Sequence, residues 1–332
     1  MQLRAFGRTG MQLSVLGFGC GAVGGLMVRG DPAEQERTIA RAIDAGVNYF
    51  DTAVLYGNGE SERNLGRVLQ KLKPANVAVG TKVRLLPSEF GRIADAVAMS
   101  LEGSLARLRR DRVDIFHLHN PITETGGGLA LSVRQVLGDV VPAFERLRQQ
   151  GKTRFLGITA VGDTAALHQV IDSRAFDSAQ VVYNVLNPSA AEELPTNYPA
   201  QDYGRLFDRT KAAGVGIVGI RVLAGGALSG SAERHPIAGP APEPIGSAMS
   251  YDADVDRARR LAPLVKEGFA TSLTEAATRF ALSHQAMGTI LVGIATRQQF
   301  EDALAAVQKG PLARTALDRL SALRQAFSGE PR

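Results

Sequence analysis

Short runs of contiguous apolar residues alternate, along most of the chain, with longer stretches whose apolar positions recur every three or four residues. The runs are "SVLGFG", "VNYFDTA", "VAVGTKV", "VDIFHLH", "TRFLGIT", "SAQVVYN", "VGIVGIR" and "GTILVGI". Contiguous rather than alternating hydrophobicity marks parallel strands covered on both faces. The intervening stretches carry helix punctuation. In "DPAEQERTIARAIDAGVN", Asp31 can cap, Pro32 fits the first turn, Ile39, Ala42 and Ile43 form the buried stripe, and Gly46 stops the helix. "GDVVPAFERLRQQGK" repeats the scheme with Asp139, Pro142 and Gly151.

About eight such strand–helix units follow one another, the number that closes a (β/α)8 TIM barrel. The competing α/β architecture is a doubly wound open sheet, but no G-x-G-x-x-G opens any of the helices. The expected organisation is one barrel domain over residues 1–332. Residues 1–15 read as an added β-hairpin, with "LRAFG", a turn at Arg8-Thr9-Gly10 and "MQLSV"; residues 311–328 read as an extra C-terminal helix. Three connections after strands are long: Asn120 to Gly138, Leu186 to Ala200, and Ala224 to about Asp254. In a barrel all three rise from the C-terminal face, where barrel enzymes keep their sites.

Composition narrows the partners. With 332 residues and 45% hydrophobic content, the chain can bury a large core. One cysteine, Cys20, excludes an internal disulfide. No secretory signal opens the chain, and the longest apolar run, "VGIVGIRVLAGGAL", is too short and carries Arg221. A cytoplasmic protein without membrane partners is expected. The net charge of +5 raises nucleic-acid binding, yet the densest basic cluster, "ARLRRDR", sits at the end of an amphipathic helix without interleaved aromatics. A modest positive balance suits a phosphate-bearing cofactor instead.

Chemistry gathers at the strand ends. The run "NYFDTAVLYG" ends a strand in Asp51 and puts Tyr56 in the loop after it; Lys82 ends the third strand and His119 the fourth. A buried lysine is costly unless a carboxylate offsets it, and Asp51 is the adjacent candidate. A cation beside a phenol favours the phenolate, lowering its pKa from about 10 and fitting it for proton transfer. Each residue also has a structural reading: a helix cap, a snorkelling lysine, a rim aromatic, a satisfied core histidine. A rival chemistry uses "HLH", since His117 and His119 point to the same side of a strand, as in metal-dependent barrel hydrolases. Such a site needs further ligands at other strand ends, and the remaining histidines, His168, His235 and His284, fall in helices or a loop, so no metal is expected.

These motifs resemble the aldo-keto reductase superfamily: "DTAVLYG", Thr81-Lys82, "LHNP" at Leu118 to Pro121, "GKTRFLGIT", "QVVYN" and "LAGGALSG", in the family's order over nearly the whole length. The resemblance implies an enzyme interconverting aldehydes or ketones, aldose-type sugars included, with alcohols through NADP(H) or NAD(H). Tyr56 would be the general acid and base, tuned by Lys82 and Asp51, with His119 orienting the carbonyl. Gly19, Cys20 and Asp51 would lie near the nicotinamide ribose, and Thr159, Ala160 and Gln180 near the carboxamide. Ile220 would pack on the ring. Arg221 and the backbone from Leu223 through Gly225 to Leu228 would follow the diphosphate, and Gly293, Ile294, Thr296, Arg297, Gln299 and Asp302 the adenosine end. The "LHNP" and "GIT" variants look more like the sugar- and small-alcohol-oxidising branches.

Departures bear on cofactor grip. Thr159-Ala160 stands where many members have Ser-Asn, Ile220 where a tyrosine often stacks, and Ala303 where an asparagine often meets adenine. Gly293 and Gln299 align with the cations that usually hold a 2′-phosphate, leaving Thr296 and Arg297 as a minimal site and dual NAD and NADP use as the expectation. A monomer or small homo-oligomer acting on a small carbonyl or alcohol is expected. Some relatives instead serve as non-catalytic, nucleotide-sensing regulatory subunits, a role with no need of Tyr56.

Overall fold

In the computed structural model, which describes residues 1–330, every one of the eight apolar runs forms a strand. They are β1 (Leu16–Gly19), β2 (Tyr49–Asp51), β3 (Ala78–Val83), β4 (Val113–Leu118), β5 (Thr153–Ala160), β6 (Ser178–Val182), β7 (Gly216–Ile220) and β8 (Met287–Gly293). Each pairs in parallel with its neighbours in sequence, and β8 closes on β1 from Ile290↔Leu16 to Gly293↔Gly19. A closed ring in chain order excludes the open sheet. The helices that follow the strands are α1 (Pro32–Asp44), α2 (Glu60–Leu72), α3 (Ile93–Leu108), α4 (Val141–Gln149), α5 (Thr164–Asp172), α6 (Leu206–Ala213), α7 (Leu273–Leu282) and α8 (Arg297–Gln308).

Inside the ring, large and absent side chains alternate. A Cβ on Gly80 would collide with the Tyr49 hydroxyl, and one on Gly157 with the His117 ring. These glycines make room for the two bulky residues that fill the middle layer. The hairpin Leu3–Ala5 with Gln12–Ser14 closes the lower end. Phe6, Met11 and Leu13 pack against Tyr49, Ile115 and Val218, with the Phe6 ring seated against Gly216 and Gly288 at the starts of β7 and β8. Arg4 donates to the carbonyls of Leu282 and Met287, and Arg8 to Asp177 and the carbonyls of Phe176 and Ala213. These partners lie at N-terminal strand ends or at the ends of the helices that lead into them, so the hairpin stoppers that mouth and leaves the other open.

Asp31 caps α1 as expected, accepting from the amides of Ala33 and Glu34. The helix before β5 does not follow its expectation. It starts at Val133, where Ser132 and Gln135 form a capping box, and Asp139 lies within it rather than at its cap. A π-turn at Val136–Val140 precedes Pro142. Proline cannot donate to the carbonyl four residues back, and one wider turn absorbs the missing bond. The connection from Asn120 is accordingly shorter than expected, and it folds into a small parallel pairing of Ile122–Thr123 with Leu131–Ser132. After β7 the chain makes a tight turn at Ala224–Ser229 and runs irregularly to Ser250. That residue caps a helix at Tyr251–Arg259, so Asp254 is helical rather than loop. The C-terminal helix spans Arg314–Gln325. Among the described residues no helix is long and apolar enough to cross a membrane.

Candidate active site

Because successive side chains on a strand alternate faces, Asp51 and Lys82 project from β2 and β3 into the open end of the barrel. Lys82 is buried to 1% exposure and Asp51 to 3%. The ammonium spends its three donors completely: on Asp51 Oδ1 at 2.5 Å, the Thr52 carbonyl at 2.8 Å and the Tyr56 hydroxyl at 3.1 Å. The other carboxylate oxygen accepts from Gln180 at 2.6 Å and Tyr49 at 3.2 Å. Charge this deeply buried is tolerated only when every lone pair and proton is matched, and here they are. Asp51 and Tyr49 raise the stakes further: burial, then Asp51, push the Tyr49 phenol well above its usual value, so it remains a donor.

Tyr56, half-buried, sits in the turn between β2 and α2, its amide bonded to the Ala53 carbonyl. His119 follows β4 directly, its amide held by the Val83 carbonyl at 2.7 Å, and its ring meets the Tyr56 ring edge-on at 6.1 Å. The expected lowering of the Tyr56 pKa is not what the geometry gives. Burial raises the phenol more than Lys82 lowers it, so the group stays protonated at neutral pH. For Lys82, burial pulls down but Asp51 and Tyr56 pull harder, and the ammonium is held charged. Burial, Lys82 and Arg84 push the His119 imidazole down to about 3, leaving it neutral. His119 Nδ1 has no partner among the described residues. His117 lies one layer deeper, fully buried with Nε2 3.2 Å from the Ser178 hydroxyl. Among the described residues no three His, Cys, Asp or Glu side chains are grouped to hold a metal.

From this cluster a cleft of about 1170 Å³ runs across the barrel mouth toward α7 and α8. Of the residues expected to touch a dinucleotide, Gly19, Asp51, Thr159, Gln180, Ile220, Arg221, Leu223, Gly225, Gly293, Gln299 and Asp302 line it. Four lie behind the wall instead. Cys20 is buried, with its amide bonded to the Asp51 carbonyl, and Ala160 and Leu228 are core residues. The Ile294 carbonyl accepts from Leu26, and Gly24 packs against that backbone so closely that a Cβ would not fit. Thr296 caps α8, and Arg297 lies off the cleft, half-exposed and 3.8 Å from Glu301.

Several lining residues escaped the sequence reading. Gly21 to Gly24 follow β1, Arg84 follows β3, and Thr271 to Glu275 open α7. Lys309 ends the wall, donating to Glu275 at 2.7 Å. The glycine run after a strand was a signal; the α7 cap and Lys309 had none. The segment 231–238 crosses the cleft as a strap. Arg234 bonds the carbonyls of Val23, Gly225 and Gly239, while Arg29 bonds those of Ala22 and Ile237. Beneath it the backbone is left-handed at Arg221 and Ala224, strain of the kind held at ligand clamps, and at Gly225 and Gly226, where glycine adopts it freely.

The model of the aldo/keto reductase family matches residues 15–325. The chain belongs to the aldo/keto reductase family. It is an oxidoreductase of that family. It is 30% identical over 318 residues to L-galactose dehydrogenase of Arabidopsis thaliana, covering 92% of this chain and 88% of that one. With pyridoxal 4-dehydrogenase of Microbacterium luteolum it shares 24% identity, covering 89% and 90%. The fold matches an aldo-keto reductase from Bacillus halodurans in its holo form, with a TM-score of 0.69, 24% identity, and 97% and 96% of the two chains covered.

Proposed function

We propose that the protein is an NAD(P)(H)-dependent enzyme interconverting small carbonyl compounds, aldose-type sugars among them, with alcohols. The observation that carries this reading is the Lys82 ammonium bridging Asp51 and Tyr56 at the cleft wall. A proton-transferring phenol with a fixed cation at 3.1 Å is what carbonyl reduction requires. The dehydrogenases to which the chain is similar support the sugar and aldehyde classes.

A dinucleotide fits the cleft by the observations at hand. The cleft is long, its middle is glycine-lined, Arg221 and Arg234 stand beside the turn at Ala224–Ser229, and the buried Thr159 hydroxyl has no partner among the described residues. Thr159 and Gln180 would hold the carboxamide, Ile220 the ring face, and the strap the diphosphate. When bound, the nicotinamide supplies the hydride for reduction and accepts it in oxidation.

The protein's own part is proton transfer and orientation. Tyr56, kept protonated by burial, donates to the carbonyl oxygen, and Lys82 stabilises the phenolate that remains. In oxidation the same phenolate takes the alcohol proton. His119 is neutral, so it orients the substrate oxygen by hydrogen bonding without adding charge. Asp51 holds Lys82 in place, and Gln180 and Tyr49 hold Asp51.

The test is paired. Dinucleotide binding is followed by fluorescence titration, and turnover is assayed in both directions over aldehydes, ketones and sugars. Binding with turnover supports the reading; tight binding without turnover on any substrate favours a nucleotide-sensing regulatory role; no binding removes both.

A further inference from the structure

Four lysines and arginines line the cleft, and three of them are committed. Arg221 donates to the Glu243 carbonyl, Arg234 to backbone carbonyls of the strap, and Lys309 to Glu275. Arg84 alone makes no hydrogen bond and no ion pair with any described residue, and its Nε is buried without a partner. A desolvated guanidinium nitrogen without an acceptor is costly, and such orphans call for an occupant.

Position says which occupant. Arg84 directly follows β3, two residues beyond Lys82, and lines the cleft together with Asp51, Tyr56 and His119. Its backbone is fixed: the Leu85 amide and carbonyl are both clamped by the Asn120 side chain at 2.8 Å. Tyr56 and His119 share this end of the cleft with Arg84, and Pro121, Val161 and Ile220 supply its apolar surface. Its one carboxylate, Asp51, is consumed by Lys82, Gln180 and Tyr49. Arg221 and Arg234, by contrast, flank the turn after β7, across the mouth, where the diphosphate would run. Arg84 is therefore spare after both the Asp51, Tyr56, Lys82 and His119 cluster and the dinucleotide have been served.

We propose that Arg84 is a substrate-binding residue for an oxyanion, so that the preferred substrate is a small carbonyl or hydroxy compound carrying a carboxylate or a phosphate. The inference rests on the oxidoreductase reading of the same site. The planar fork of arginine matches both anions bidentately, and the rigid β3 end presents it without reorganisation. The reaction itself is unchanged: hydride and proton are exchanged at the carbonyl, and the anion only fixes which carbonyl is presented.

Matched pairs test it: succinic semialdehyde against butanal, and glyceraldehyde 3-phosphate against glyceraldehyde. Wild type is expected to favour the charged member of at least one pair by roughly tenfold or more in kcat/KM; which pair shows it tells carboxylate from phosphate. Arg84→Gln should collapse that ratio to within about threefold, and Arg84→Lys should keep part of it. No preference in wild type for either charged member overturns the proposal whether or not the variants fold, as does a preference unchanged in Arg84→Gln. Calorimetric titration of dinucleotide-loaded protein with succinate and with inorganic phosphate separates the two readings. Anion binding lost in Arg84→Gln without turnover on anything would leave the anion site standing and overturn the oxidoreductase reading. Turnover of neutral substrates with neither anion bound nor charged substrate favoured would do the reverse.

Discussion

The two ends of the cleft are built on opposite principles. At the carbonyl end, side chains from strand tips meet in a dry, fully matched cluster: Lys82, Asp51, Gln180 and Tyr49 are each buried and bonded. At the dinucleotide end the wall is made of turns and a strap tied by two arginines to backbone carbonyls, with an ion pair of half-exposed Lys309 and buried Glu275 at α7 and α8. The barrel's own ladder fixes the first; arginine side chains and one backbone bond, from the Gly239 amide to the Ala22 carbonyl, tie down the second. Substitutions at the first end should therefore appear in kcat, and those at the second in dinucleotide affinity and exchange.

The largest effect should come from Tyr56→Phe, with kcat falling about 10²–10⁴-fold while the Kd for dinucleotide moves by no more than about twofold. Retention of more than about a tenth of wild-type kcat would remove Tyr56 from the proton transfer. Lys82→Met comes next, because it strands the Asp51 carboxylate in the barrel. A loss of about 3 kcal/mol or more of stability in urea melts is expected, with kcat lost as well. Adding Asp51→Asn should recover much of the stability and none of the activity. If the double variant regains turnover, the cation is not what tunes Tyr56.

pH sharpens the same comparison. Burial raises Tyr56 above the usual phenol value and carries His119 down to about 3. The phenolate needed for alcohol oxidation becomes more populated as pH rises, so that rate should climb about tenfold per unit through the alkaline range. His119 should add no inflection to the rate near 6.5, since it is neutral from about pH 4 upward. A rate inflection near 6.5 that vanishes in His119→Asn would show that the imidazolium takes part. At the other end of the cleft, Arg234→Ala cuts the strap loose from Val23, Gly225 and Gly239. Stopped-flow dissociation of dinucleotide should quicken by roughly tenfold, as expected from losing one or two charge-assisted bonds, with Tyr56 chemistry intact. An unchanged off-rate would mean that the strap does not gate exchange.

The same contrast explains what could be read from the chain. Asp51, Lys82 and His119 were legible because each ionisable residue interrupts an apolar run at its end, and barrel geometry then brings run ends together. Gly21 to Gly24, Arg234 and Thr271 to Glu275 come from turns and a helix start, where no periodicity fixes a position. Arg84 was missed for another reason: it lies one residue past the strand, where an arginine reads as rim charge. The start of the helix before β5 was misplaced because Pro142 mimics a first-turn proline, and the Ser132–Gln135 box was the better signal.

The smallest effect concerns the choice between NAD and NADP, and here position revises a sequence expectation. Arg297 was the one candidate cation for a 2′-phosphate, but its side chain lies off the cleft, 3.8 Å from Glu301, and Thr296 is spent on capping α8. The cation that does line the adenosine end is Lys309, and it is held by Glu275 at 2.7 Å. Burial pushes the Glu275 carboxyl up, but Lys309, Thr271 and Arg279 outweigh it and bring it down to about 2, so Lys309 faces a full negative charge at neutral pH. A 2′-phosphate must compete with that carboxylate, whereas a free ribose hydroxyl need not. Dual use with less than about hundredfold discrimination follows, for a contest between single charge-assisted bonds of about 1.5–3 kcal/mol. Glu275→Gln should release Lys309 and raise NADP affinity relative to NAD by a few-fold, about the worth of one partly exposed ion pair. Arg297→Ala should leave the ratio within about twofold. Fluorescence titrations of both dinucleotides against wild type and the two variants measure this. Because only the ratio is read, any general loss of stability in Glu275→Gln cancels. A ratio that moves with Arg297 and not with Glu275 would put the phosphate outside the cleft wall, on the exposed side of α8.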